Sequence, residues 1–335
     1  MDPCSQGLLG AVVANCFAKK KIKEASFFGA LGGIAPDLDV FIKSSNDSLL
    51  FIEYHRHFSH SLVFAPFGSL VLSFFLYIFL KKKIYFKTIY IFTTLGFFSH
   101  GLLDSFTSYG TSLLWPFFNY RVSWNIISII DPLFTIILFF SFMLCLIYKK
   151  VIYARLGIFL SIFYLFICFT KSYQVKSYVK NLAQTKGHKI ERLMIKPTFG
   201  NNILWRTIYQ TKENYYVNAV FMPYIGSPKV KEGVIVPLID KTKIFPEFFE
   251  NSTQRKDILR FSYFSNDYIY LHPLYENVIA DLRYGTLPYD DKSLWGIEVH
   301  PLTPDKHVNF KNLRNYTKND LKIFWKMLDG NFENF

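Results

Sequence analysis

Residues 55–80 read HRHFSHSLVFAPFGSLVLSFFLYIFL, and the two parts of that stretch decide how the rest of the chain is read. From residue 61 to residue 80 there is no charged side chain. At about 1.5 Å per residue, such a run covers a hydrocarbon core roughly 30 Å thick. Just before it, His55, Arg56, His57 and His60 fall within six positions. An apolar helix therefore begins beside ionisable side chains, at a depth where these are costly unless they pair, cap or ligate.

Working outward, residues 132–148 form a second uncharged run, while residues 88–103 and 152–170 are shorter or carry one charge, Arg155. Residues 3–18 and 25–35 are Gly- and Ala-rich and flank the basic connection 19–23, which suits a close-packed helical hairpin. The expected fold is a mainly α-helical polytopic membrane domain of about six helical segments, followed by a small, mostly antiparallel β domain. Composition agrees: 51% of residues are hydrophobic and 19% aromatic, too apolar for a soluble enzyme of this length. The net charge of +13 sits in short lysine runs beside apolar segments, not in a stripe with interleaved aromatics, so no nucleic-acid partner is expected. The four cysteines have no CxxC spacing and read as reduced packing residues. Asp2 precedes the first apolar stretch and the lysines follow it, the reverse of a secretory signal, so the start reads as mature sequence.

The basic connections, residues 19–23, 81–87 and 149–155, alternate with connections 37–56 and 104–121 and with everything after residue 171. Short Lys/Arg-rich loops stay in the cytoplasm, which places the other set on the outer side of a bacterial inner membrane. Three regions follow: residues 1–171 as the membrane-embedded domain, 172–189 as a linker helix, and 190–335 as a soluble α+β domain on the outer face. Alternating runs at 204–209, 215–221, 233–237, 268–271 and 278–282 predict strands, and residues 317–328 predict a helix.

Laid over that topology, Asp2, Asp37, Asp39, His55, His57, His60, His100, Asp104 and Asp131 come to one height on the outer side. His100 and Asp104 stand at i and i+4, one turn apart on one helix face, where both reach a single cation. Pro36-Asp37-Leu38-Asp39 ends a helix on a restricted turn. A His, His, Asp, Asp set suits a divalent metal, zinc foremost, with manganese or iron as alternatives. The ligand candidates are Asp39, His55, His60, His100 and Asp104, with Arg56 and Asp37 as catalytic candidates; either Asp37 or Asp39 can be the ligand, and the other a base. Arg56 has the fork geometry to hold a phosphoryl or carboxylate oxygen. Asp2-Pro3 and Asp131-Pro132 also read as N-cap aspartates before a first-turn proline, giving both residues a capping or supporting role. An HxxxD pair also forms in proteins that bind nothing, by hydrogen bonding to itself.

These residues resemble a known family. Met1-Asp2 with Ser5-Gln6 and Gly10, Pro36-Asp37-Leu38-Asp39, His55-Arg56 with Ser59-His60-Ser61, and Ser99-His100 with Leu103-Asp104 resemble the bacterial inner-membrane metal-dependent hydrolases of the YdjM type. Thr107-Ser108-Tyr109-Gly110-Thr111, Pro116-Phe117, Ile130-Asp131-Pro132 and the late Asp281-Leu282-Arg283-Tyr284-Gly285 continue the likeness. His57 departs from it, standing where the family has a small residue; Ser5 and Ser59 stand where it has threonine. The order Asp, His, HxxxD is also similar to zinc-dependent phospholipase C and related nucleases, although their further HxxxE pair has no counterpart here. That likeness implies a metal centre of Asp37 or Asp39, His60, His100 and Asp104, with His55 and Asp2 toward a second ion.

The resemblance implies a membrane-bound metal-dependent hydrolase, with metal-activated water attacking an unknown ester or phosphodiester near the membrane surface and membrane lipids as partners. The competing expectation is a non-enzymatic membrane protein, with a structural metal site and a partner-binding outer domain, or a transporter. Mid-span segments without acidic or His residues count against transport.

Overall fold

A computed structural model describes residues 1–81, 83–246 and 248–332. Lys82, inside the basic loop 81–87, and the last three residues of the expected β domain lie outside the described residues. The chain divides into two compact units, one of residues 1–42, 54–170 and 199–201, the other of 43–53, 171–198 and 202–335.

The first unit is helical. Its helices are α1 (Pro3–Asn15), α2 (Ile22–Ile34), α4 (Ala65–Leu80), α5 (Phe86–Ser105), α6 (Pro132–Tyr148) and the first part of α7 (Val151–Thr185). Two 3-10 turns of this unit, Ala35–Phe41 and Phe58–His60, and the short α3 (Leu50–Tyr54), most of which belongs to the second unit, complete the helical elements up to α4. Pro3 and Pro132 open α1 and α6, where the missing N–H costs nothing, and Asp2 and Asp131 accept from Ser5 N and Phe134 N as N-caps. All six apolar segments are thus helices, but the number that cross a membrane is a separate matter. Among the described residues, α7 is the one helix long and apolar enough to cross by length and composition; α6 is apolar but 17 residues long. Helices α1 and α2 have 13 residues each, about 20 Å of rise.

Packing in this unit inverts the soluble pattern. On α4 the buried positions are Ala65, Gly68, Ser69 and Ser73, while Phe67, Val71, Phe74 and Phe79 face outward. On α6, Ile136, Phe140 and Ile147 are exposed and Ser141 is buried. Small residues inward let helices approach without leaving voids, and large apolar residues outward need an apolar solvent. The α1–α2 pair is the extreme case: a Cβ on Gly10 would lie 2.2 Å from the carbonyl oxygen of Gly29.

The second unit holds two four-stranded antiparallel sheets. The first runs β1 (Arg192–Pro197), β2 (Leu204–Gln210), β3 (Asn214–Phe221), β4 (Lys229–Pro237); the second runs β5 (Ile269–Leu271), β6 (Val278–Asp281), β7 (Trp295–Glu298), β8 (Asn309–Asn312). Ile208 and Val217 of one sheet share an apolar cluster with Tyr270 and Ala280 of the other. Helices α8 (Thr253–Phe264) and α9 (Lys318–Leu328) complete it, α9 opening with a capping box between Thr317 and Asp320. The expected linker helix is not a separate element: α7 continues to Thr185, because Val175, Val179 and Ala183 keep a helical stripe that packs on Trp205 and Val220.

The late motif of the sequence lies here and is structural. Arg283 and Asp281 form a buried ion pair, and the buried Arg206 guanidinium donates to the carbonyls of Leu282, Leu287 and Asp290. Burial pushes the Asp290 carboxyl up to about 6, against the pull of Arg206 at 4.0 Å. The folded value exceeds the ordinary one near 3.9, so this group's protonated form is favoured by folding and stability falls as pH rises from about 4 through 6, by at most about 3 kcal/mol. Asp290→Asn should therefore melt with wild type at pH 4 and above it at pH 8, as followed by near-UV circular dichroism of Trp205 and Trp295. A difference that does not change with pH would exclude Asp290 as the source.

Candidate metal centre

Three segments of the helical unit meet at the C-terminal end of α5. The 3-10 turn after α2 supplies Asp37 and Asp39, the turn Phe58–His60 supplies His60, and α5 itself supplies His100 and Asp104. One ligand atom each from Asp37, His60, His100 and Asp104 lies within 4.8 Å of all the others. His60 Nε2 is 3.4 Å from Asp37 Oδ1 and 3.2 Å from Asp104 Oδ2; His100 Nε2 is 3.5 Å from each.

The local structure explains why these atoms point inward. His100 Nδ1 faces the Gly33 carbonyl oxygen at 2.6 Å; a carbonyl only accepts, so Nδ1 is the donor there and Nε2 is the atom turned toward Asp37 and Asp104. His60 Nδ1 lies 3.0 Å from Ser59 Oγ and 3.2 Å from Asp39 Oδ2, leaving its Nε2 directed the same way. Asp39 is buried and saturated: it accepts from His55 Nδ1 at 2.8 Å, Arg56 N at 3.0 Å and Ser59 Oγ at 2.6 Å. Arg56 has φ of 63°, a left-handed turn that brings its N–H onto Asp39.

Asp104 is held from behind. Its Oδ1 accepts from Gln6 Nε2 at 2.9 Å and contacts the Met1 α-amino group, and its Oδ2 is 3.2 Å from Arg56 Nε. Arg56 also donates to Thr107 Oγ1 and lies 4.9 Å over the Tyr109 ring, with Arg121 5.7 Å from the same ring.

A cation fits these residues. His60 Nε2, His100 Nε2 and Asp104 Oδ2 are buried and have no hydrogen-bond partner, although they approach one another at 3.2–3.5 Å. Leaving three polar atoms unsatisfied in a buried position is costly unless something satisfies all of them at once. Burial alone would raise both turn carboxyls, but His100 and His60 hold Asp37, and His55 and His60 hold Asp39, well below the usual carboxylate range. Burial opposes a charge on His60, but Asp104, Asp37 and Asp39 push it up to about 10: the carboxylates draw positive charge to this spot, which a proton on His60 supplies and a divalent cation would replace.

Of the residues singled out in the sequence, His60, His100 and Asp104 fall within the ligand cluster, together with Asp37. Asp39 and His55 lie beside it, joined to each other and, through Asp39, to His60. Arg56 stands against Asp104, while Asp2 and Asp131 cap their helices, Asp131 also accepting from Tyr164 Oη at 2.8 Å. His57 packs on Trp115, outside the cluster. Sequence reasoning assigned no role to Gln6, Thr107, Tyr109 or Arg121, and read Ser59 only as a cap before His60, where it instead donates to Asp39 Oδ2 at 2.6 Å. Most of these stood inside quoted motifs, but nothing in their spacing revealed what they touch.

In the second unit, Asp47, Asp257 and His307 also come together, but Arg260 bonds both carboxylates, at 2.9 and 2.7 Å, and His307 pairs with Asp257 at 2.8 Å. That cluster is an ion-pair network with its own counter-charge.

Fold and site together define a helical membrane-type protein with an N/O-ligand cluster at one end of its helices. The chain belongs to the YdjM inner membrane protein family, whose profile matches residues 1–175. It is 28% identical over 191 residues to "Uncharacterized protein YfhP" of Bacillus subtilis (strain 168), covering 56% of this chain. The chain spans about half the length of that curated relative, 55%. No solved structure matches it.

Proposed function

We propose that this protein is a multi-pass inner-membrane hydrolase that uses a divalent metal, zinc foremost, to cleave an ester or phosphodiester. The observation that carries the reading is the convergence of the unsatisfied Nε2 atoms of His60 and His100 with Asp104 Oδ2, beside an arginine. Asp37, His60, His100 and Asp104 would hold the metal. A bound divalent cation supplies Lewis acidity and lowers the pKa of a coordinated water toward neutrality.

The chain's own residues do the rest. Asp37 is the one cluster member with a partly exposed side chain, 19%, against 0% for the other three, so access is on its side. Asp39 orients His55 and His60 at once, the supporting role that carboxylates play behind ligating imidazoles. His55, held at Nδ1 by Asp39 and itself 22% exposed, is placed to pass a proton at Nε2. Arg56 balances Asp104 and directs positive charge at an anionic substrate. The alternation of basic loops with site-bearing connections supports an arrangement with the metal centre on the outer side. The phospholipase C parallel adds only an analogy of ligand order.

One observation favours a second reading: four protein donors, three of them fully buried, is the number a structural zinc site uses, whereas catalytic sites keep a position open. Turnover decides. The full chain in mild detergent, stripped with a chelator and reloaded with zinc or manganese, should hydrolyse a chromogenic phosphodiester or ester only when loaded. Arg56→Lys should cost at least about tenfold in kcat/KM while metal content is retained. Absence of metal-dependent turnover on both substrate types would transfer the site to the structural reading.

A further inference from the structure

The connection between α5 and α6 contains a surface that the ligand cluster does not explain. Between Asp104 and Arg121 there is no formal charge, and residues 114–120 read LWPFFNY. Phe117 is 74% exposed and Phe118 63%, with Leu114 and Tyr120 also exposed. In water, such a run of exposed apolar side chains would collapse or be covered.

Its backbone is held in place. Leu62 N donates to the Leu113 carbonyl at 3.0 Å, Ser112 N donates to the Arg56 carbonyl at 2.9 Å, and Ser61 Oγ donates to the Trp115 carbonyl. These bonds tie the loop to the segment between the metal-centre histidines and the start of α4. The outward apolar face of α4 begins there, at Phe67. The turn that carries Asp37 also directs Leu38 and Phe41 outward, 59% and 72% exposed.

We propose that residues 114–120 are an interfacial anchor, seated at the headgroup–acyl boundary of the bilayer, and that the site takes its substrate from that boundary as a membrane phospholipid. Three observations select lipid as the occupant. The loop has no charge to recognise a polar partner; its aromatic composition is that of the membrane–water belt, where amphipathic rings are favoured; and it is tied by hydrogen bonds to the start of a helix whose outward face is already lipid-like. Its attachment to Arg56 and to the residues after His60 sets the metal centre at the same depth. The substrate half of the proposal rests on the hydrolase reading; the anchor half does not.

Two measurements on the full chain separate them. In nanodiscs of phosphatidylethanolamine and phosphatidylglycerol, a photocrosslinker replacing Phe118 (Phe118→p-benzoylphenylalanine) should form phospholipid adducts detectable by mass spectrometry. The same replacement at Ile225, 93% exposed in the β unit, is the comparison. Equal adduct yields at the two positions would overturn the anchor whether or not the protein is an enzyme. For the substrate, Phe117→Ser/Phe118→Ser should lower phospholipid hydrolysis in vesicles by at least about tenfold, with metal content unchanged. Unaltered lipid turnover would overturn delivery from the bilayer, as would a wild type that hydrolyses only a soluble phosphodiester. Adducts at Phe118 without turnover on any ester would keep the anchor and reject the hydrolase.

Discussion

His100→Ala should purify without stoichiometric metal, while His57→Ala, eliminating another histidine of the same face, should retain it. His100 contributes one of four converging donors, and its ring is locked by the Gly33 carbonyl. Since four-ligand zinc sites bind with about 10–16 kcal/mol in total, removing one donor is expected to weaken metal binding roughly a hundredfold or more. Asp104→Asn should lose metal to a similar degree and stability as well, because Arg56 and the Met1 α-amino group then face no carboxylate. The two turn aspartates should separate: Asp37→Asn removes a donor, whereas Asp39→Asn leaves all four donors and loosens the hold on His55 and His60, a loss of about 10–100-fold. Elemental analysis after dialysis, followed by competition with a fluorescent chelator, reads all five variants. Full metal occupancy in His100→Ala would falsify the cluster as the site.

Much of this centre was legible in the sequence because its components depend on periodicity. His100 and Asp104 share a face for the simple reason that α5 is a helix and four residues make about one turn. The segments themselves were legible as uncharged runs, and β2 to β6 by the period-two alternation at 204–209, 215–221, 233–237, 268–271 and 278–282, whereas β1 was not among the expected strands. What was not legible depends on contacts between distant segments. Asp37 and Asp39 are two residues apart on a tight turn, and which one faces the cluster is settled by the left-handed turn at Arg56 that draws Asp39 away. The Gly33 carbonyl that orients the His100 ring is a backbone atom with no side-chain signature. The short strands β7 and β8 and helix α8 gave no sustained period, and the composition change after residue 171 hid the fact that α7 keeps its helical stripe into the second unit.

Gly96→Ala is expected to be among the most damaging single-methyl changes in the helical unit. A Cβ at that position would lie 2.3 Å from the Gly29 carbonyl oxygen and 2.6 Å from Gly33 N, both backbone atoms of α2. No rotamer change relieves such a clash, so α5 and α2 must separate, and overpacking of this kind costs about 3 kcal/mol or more when the opposing atoms cannot yield. The separation also reaches the metal centre. His100 follows Gly96 by one turn on α5, and its Nδ1 partner is the carbonyl of Gly33 on α2, so the same displacement breaks the 2.6 Å bond that aims Nε2. Metal affinity should therefore fall together with the melting temperature in detergent, although residue 96 bears no ligand. Gly7→Ala provides the contrast, since its Cβ would meet Ile34 side-chain atoms at 3.0 and 3.2 Å, which can rotate away. That variant should stay near wild type in both measurements. If Gly96→Ala matched Gly7→Ala, the backbone contact between α2 and α5 would not be what holds His100 in register.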